Sequence, residues 1–134
     1  MTEGLTARLA REHRELDAQF GRFLGAAFAG EATAAREAIE AFDDALRRHT
    51  ALEEERLYPP APAPERNAAE DDTARRLREL RLEHVQVREL SGMIRRLLTE
   101  KQDLEAALRL APNLARRWDA HTAREETEAF GSGA

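Results

Sequence analysis

Four stretches of this chain repeat apolar residues at steps of three and four, the period of a helix that buries one face. The first, from about 2 to 29, lines up Leu5, Leu9, His13, Leu16, Phe20, Phe23 and Ala27. The second, 31–57, lines up Ala35, Ile39, Phe42, Leu46, His49 and Glu53. The third, 68–99, carries Leu77, Leu80, His84, Val87, Ser91, Ile94 and Leu98, with Leu82, Val85, Leu90 and Leu97 widening its apolar face. The fourth, 103–130, carries Leu104, Leu108, Ala111, Leu114, Trp118, His121 and Glu125. Four helices of similar length with mostly short joins imply an all-α fold, an antiparallel up-down-up-down four-helix bundle. The 134 residues suffice for one core, so a single domain over 1–130 and a flexible tail at 131–134 are expected.

The stops agree with these segments. Gly30 ends the first helix, and Tyr58-Pro59-Pro60 ends the second, because prolines remove donors and hold the preceding backbone extended. "PPAPAPERNA" then reads as a stiff, extended connection. The third helix starts between Asn67 and Thr73, and Asp103 is the expected cap of the fourth. Pro112 lies off the fourth stripe; at about 3 kcal/mol for a regular helix interior, it implies a kink, a short break or the start of a separate short helix. No internal repeat is evident beyond the helical period itself.

Charged residues at 35% against aromatics at 5% favour long helices over a sheet, since straight side chains lose little freedom in a helix. Arg and Glu alternate in nearly every segment and the net charge is only −5, which reads as solvated helix faces and not as a track for nucleic acid. No cysteine is present, so thiolate catalysis and Cys-based metal sites are excluded. "MTEGLTARLAREHREL" lacks the apolar centre of a signal peptide, and no window resembles a membrane span. A cytoplasmic location is expected.

The chain has four histidines, and each stripe holds one. If an inward face covers roughly a third of a helix, chance places four independent histidines there about once in eighty trials. Their depth agrees too. In an antiparallel bundle His13 and His84, early in their helices, meet His49 and His121, late in theirs, at one level. Unpartnered imidazoles in a dry core are unfavourable, and a metal removes that difficulty. Glu53 follows His49 by four residues and Glu125 follows His121 by four, so each pair shares a face one turn apart. Glu54 and Glu126 point roughly 100° away and are expected to face solvent, though either could swing in.

Four imidazoles and two carboxylates suit a pair of borderline cations, above all iron. Each carboxylate can bridge two ions through its two oxygens. With about six positions per ion, these donors and a bridging oxide or hydroxide leave one position open on each. Such positions accept dioxygen, nitric oxide or peroxide.

These residues resemble the hemerythrin-like domains, the His-His-Glu cation-binding family. The matching pieces are "REHREL", "HTALEEERLYP", "EHVQVREL" and "HTAREETEAF", and they span essentially the whole chain. The resemblance implies a four-helix bundle around a non-haem di-iron site, an architecture that includes one of the standard example bundles, myohemerythrin. It makes His13, His49, His84 and His121 ligands, and Glu53 and Glu125 bridges. The oxygen carriers of the family place two histidines on the third helix, four residues apart. Here the positions flanking His84 are Leu80 and Arg88, and neither can serve. The fourth helix also lacks the usual apolar-Pro ending. The missing histidine argues against simple reversible oxygen carriage and for faster autoxidation, with peroxidase- or catalase-like reactivity.

Three functions follow, in descending order of support. The first is a di-iron protein that binds dioxygen, nitric oxide or iron for sensing, storage or delivery. The second is a di-iron oxidoreductase acting on peroxide; the third is a metal-free or zinc-bearing helical interaction module, with no protein partner identifiable. Tyr58 is expected to plug the bundle end more than to bond a ligand, and Trp118 to pack the core. Glu12 and Glu83 are expected to be solvated. No carboxylate orienting the imidazoles from behind can be named from the sequence.

Overall fold

The computed structural model describes residues 3–58 and 72–130 and is a bundle of four long helices. They are α1 (Leu5–Phe28), α2 (Ala32–Arg56), α3 (Asp72–Thr99) and α4 (Leu104–Glu125), followed by one π-helical turn, Glu126–Phe130. Each helix packs on the next, and α4 closes on α1. The Pro/Ala connection, part of the expected start of α3 and the tail at 131–134 lie outside the described residues.

Most buried positions follow the expected stripes, but Leu5, Leu77, Leu104 and Leu108 are only partly buried, and Ala107, outside the expected line, is buried on α4. Leu9, Leu16, Phe20, Phe23 and Ala27 of α1 face Ala35, Ile39, Phe42 and Leu46 of α2. Leu80, Val87, Ile94 and Leu98 of α3 and Ala107, Ala111, Leu114 and Trp118 of α4 supply the rest. Leu82 and Val85, expected to widen the apolar face of α3, are instead exposed; they lie around the helix from the Leu80–His84 line, beyond the reach of the neighbouring helices. Asp43, absent from the expected stripe, is buried, accepts from the Ser91 hydroxyl at 2.8 Å and pairs with Arg47 and Arg95.

Gly30 ends α1 as expected. Its φ of 76° lets the Glu31 amide reach back to the Ala26 carbonyl and its own to Ala27, the paired bonds of a left-handed helix stop. Asp103 caps α4 by accepting from the Ala106 amide at 3.0 Å. No break occurs at Pro112: α4 runs through it as one α-helix. Pro112 is exposed, so water can satisfy the carbonyl whose partner it removes. The fourth helical segment does change character after Glu125, where the expected α-helix becomes the π turn.

Candidate metal centre

His13, His49, Glu53, His84, His121 and Glu125 converge in one layer near the end of the bundle where α2 and α4 finish, and each is nearly or fully inaccessible to solvent. The rings of His13 and His49 are 4.8 Å apart, and those of His84 and His121 are 4.7 Å apart. Between them lie the two carboxylates. Glu53 reaches His13, His49 and His84 at 3.6, 3.1 and 2.9 Å. Glu125 reaches His13, His84 and His121 at 2.9, 3.3 and 3.1 Å. Two donor sets result, His13/His49/Glu53/Glu125 and Glu53/His84/His121/Glu125, sharing both glutamates. Trp118 lies directly beneath, its ring 5.5 to 6.2 Å from those of His13, His49 and His121, and donates its N–H to Asp17 at 2.7 Å.

The outward nitrogens explain how the rings are held. Each Nδ1 faces a glutamate, and since a carboxylate can only accept, the imidazole donates. Glu12 takes the Nδ1–H of His49 at 2.8 Å and Glu83 that of His121 at 2.7 Å. Glu126 stands 3.2 Å from His13 Nδ1, and Glu54 stands 3.4 Å from His84 Nδ1. Glu12 and Glu83 therefore overturn the expectation that they are solvated, and Glu54 and Glu126 turn toward the site without entering its centre. Partial burial works against charge on Glu12, but His49 and Arg8 hold it below the usual carboxylate range. His121 and Arg124 do the same for Glu83.

With each proton on Nδ1, every Nε2 lone pair points inward at carboxylate oxygens, acceptor against acceptor. Among the described residues, Nε2 of His13, His49 and His121, both oxygens of Glu53 and Oε1 of Glu125 are buried without a hydrogen-bond partner. Orphaned buried acceptors of this kind are strongly unfavourable. Positive charge placed among them resolves the conflict, and imidazole and carboxylate are suitable ligands for transition-metal ions. Protons are the other available charge. Burial resists charging His13 and His84, yet Glu125 and Glu53 outweigh it and push them up to about 10 and about 9. His121 is raised for like reasons, and both glutamates are held below the usual range by the histidines despite burial.

Tyr58 plugs the bundle end, fully buried, and also bonds a site residue: its hydroxyl donates to Glu125 Oε2. Burial, followed by the charges of Glu125 and Glu53, holds the phenol well above its ordinary value, so it keeps its proton. A guanidinium N–H of Arg81 donates to the Tyr58 carbonyl.

The centre also has an approximate two-fold relation that the sequence reading missed. "HTALEEERLY", 49–58, and "HTAREETEAF", 121–130, place His, Glu, Glu and an aromatic ring at equal spacing. Glu12-His13 corresponds to Glu83-His84 in the same way. Each half crosses over, so that the glutamate preceding one histidine backs the histidine on the next helix. Tyr58 lies 5.4 Å from the His84 ring; its counterpart Phe130 stacks on His13 at 5.3 Å. The π turn after Glu125 delivers Phe130, and a similar widening follows Glu53, where the Tyr58 amide reaches the Glu53 carbonyl at 2.8 Å. The doubled His-x-x-x-Glu-Glu is the sequence signal of this relation, and its flanks, Glu-His before and an aromatic ring after, continue it.

A four-helix bundle whose dry layer holds two interlocked His/Glu donor sets defines a cation-binding helical protein. The hemerythrin HHE cation-binding domain model matches residues 4–131, and the chain belongs to that family. Comparison with curated proteins and with solved structures gives no match.

Proposed function

We propose that this protein is a non-haem di-iron protein that binds dioxygen, nitric oxide or a related small molecule. His13, His49, His84 and His121 would hold the ions through their inward nitrogens, with Glu53 and Glu125, common to both donor sets, holding them together. The observation that carries this is the set of orphaned inward acceptors, which two cations would satisfy together. Two donor sets sharing both glutamates favour a pair of ions over one, and an imidazole/carboxylate set suits iron. Bound iron would supply redox-active positions for a small oxidant. The chain's own part is to aim four Nε2 lone pairs, keep water out and engage each Nδ1–H in a hydrogen bond donated to an outer glutamate. A metal-free interaction module would leave the inward acceptors to be satisfied by protons alone.

A peroxide-consuming oxidoreductase is the second reading, and Tyr58 favours it. A neutral phenol at Glu125, in a water-excluded layer, would steady charge developing at the centre through its hydrogen bond, while burial keeps its own proton in place.

The test is iron analysis with an optical spectrum, on protein produced with ample iron. Close to two irons per chain with near-ultraviolet charge-transfer bands is the expected result. One iron per chain at saturation, or zinc retained in preference to iron, would refute the di-iron assignment. Peroxide decay in the loaded protein, compared with reversible optical changes under nitric oxide, then separates oxidoreductase from binder.

A further inference from the structure

The two donor sets are related by approximate two-fold symmetry, but what surrounds them is not. Around His84 and His121, both outer glutamates are fixed by arginine. Arg88 donates to Glu54 at 3.3 Å, and Arg124 donates to Glu83 at 2.7 Å while also binding Glu79 and Glu128. That side is sealed by Tyr58, whose hydroxyl and carbonyl are both engaged.

Around His13 and His49 the same positions are weaker. Glu12 has Arg8 at 3.0 Å, but that arginine is half exposed. Glu126 pairs with no arginine or lysine among the described residues, and its side chain is 49% exposed. It stands no farther from His13 than Glu54 does from His84; what differs is the support behind it. Phe130 replaces Tyr58 here, a ring without a hydroxyl, carried on a single π turn and only partly buried. A cavity of about 250 Å³ between α1 and α2, bordered by Glu12, Arg48 and His49, opens on this side.

We infer that the two cation positions are unequal: the one at His13/His49 is exchangeable, and the one at His84/His121 is retained. The inference rests on the two-cation reading above. A ring whose outer partner can swing away loses its fixed orientation, and such partners alter metal affinity by roughly 10- to 100-fold. Solvent and chelator also reach the His13/His49 side more readily.

The test uses the full chain loaded with zinc(II), with ions per chain counted by native mass spectrometry across a range of EDTA concentrations. Release in two steps, at chelator concentrations separated by about tenfold or more, is expected. Glu126→Ala should shift only the first step to lower chelator, and Arg88→Gln only the second. Release of both ions in one step would overturn the inequality, as would Glu126→Ala acting on the second step. Fewer than two ions per chain at zinc saturation would instead overturn the two-cation reading, and this inference with it.

Discussion

Glu12 is the chain neighbour of His13, yet its carboxylate accepts the Nδ1 proton of His49 on the adjacent helix, at 2.8 Å. Glu83, next to His84, serves His121 in the same way at 2.7 Å. The dipeptide Glu-His thus contributes to two histidines at once, one through its imidazole and one through its carboxylate. Removing the carboxylate alone should affect metal binding without disturbing the helix.

Glu12→Gln and Glu83→Gln should each lower cation affinity by about 10- to 100-fold while leaving helical content unchanged. An amide is a weaker acceptor than a carboxylate and no longer supports positive charge on the ring. Competition against a coloured chelator, with circular dichroism alongside, measures both. Unchanged affinity in both variants would show that these contacts do not orient the ligands.

Cation removal should destabilise the fold, because ligands that bind only the native state add to its stability. At about a thousandfold over its dissociation constant, one cation contributes about 4 kcal/mol. Thermal unfolding with and without chelator should therefore show a clear drop in midpoint on stripping. The stripped protein is expected to remain helical, since the apolar core from Leu16 to Leu114 does not depend on the centre.

Trp118 is the only tryptophan, and its ring lies within 6.2 Å of three site imidazoles. Its fluorescence should report occupancy directly. Loading with cobalt(II) or iron is expected to quench the emission strongly, and zinc(II) much less, because only ions with partly filled d shells offer efficient deactivation. Equal emission in cobalt-loaded and metal-free protein would place the ion away from these rings.

Asp43 should make acid stability measurable at a distance from the centre. Burial raises its pKa, but the Ser91 hydroxyl, Arg47 and Arg95 more than offset this and hold it below its unfolded value near 3.8. A depressed carboxylate contributes stability above the unfolded value and loses it as pH falls through the folded one. Asp43→Asn should therefore cost about 1–3 kcal/mol near neutral pH, with the gap to wild type narrowing below about pH 4. Urea unfolding at pH 7 and pH 3 checks the sign.

Much of this protein is settled by sequence through helical periodicity. An α-helix returns to the same face every three to four residues, so Leu9, His13, Leu16 and Phe20 must share a side. The His49–Glu53 and His121–Glu125 spacings likewise aim both members of each pair inward. Gly30 and Asp103 stop and start helices for reasons local to their own backbone. Tertiary structure decided what lies across the gaps between helices. Glu12 is one residue, roughly 100°, from His13; in an isolated helix that direction is solvent, and in the bundle it is α2. The partners of Glu54, Glu83, Glu126 and Tyr58, and the burial of Asp43, depend likewise on which helices adjoin and at what height. Periodicity within one helix carries no information about that register, which packing alone imposes.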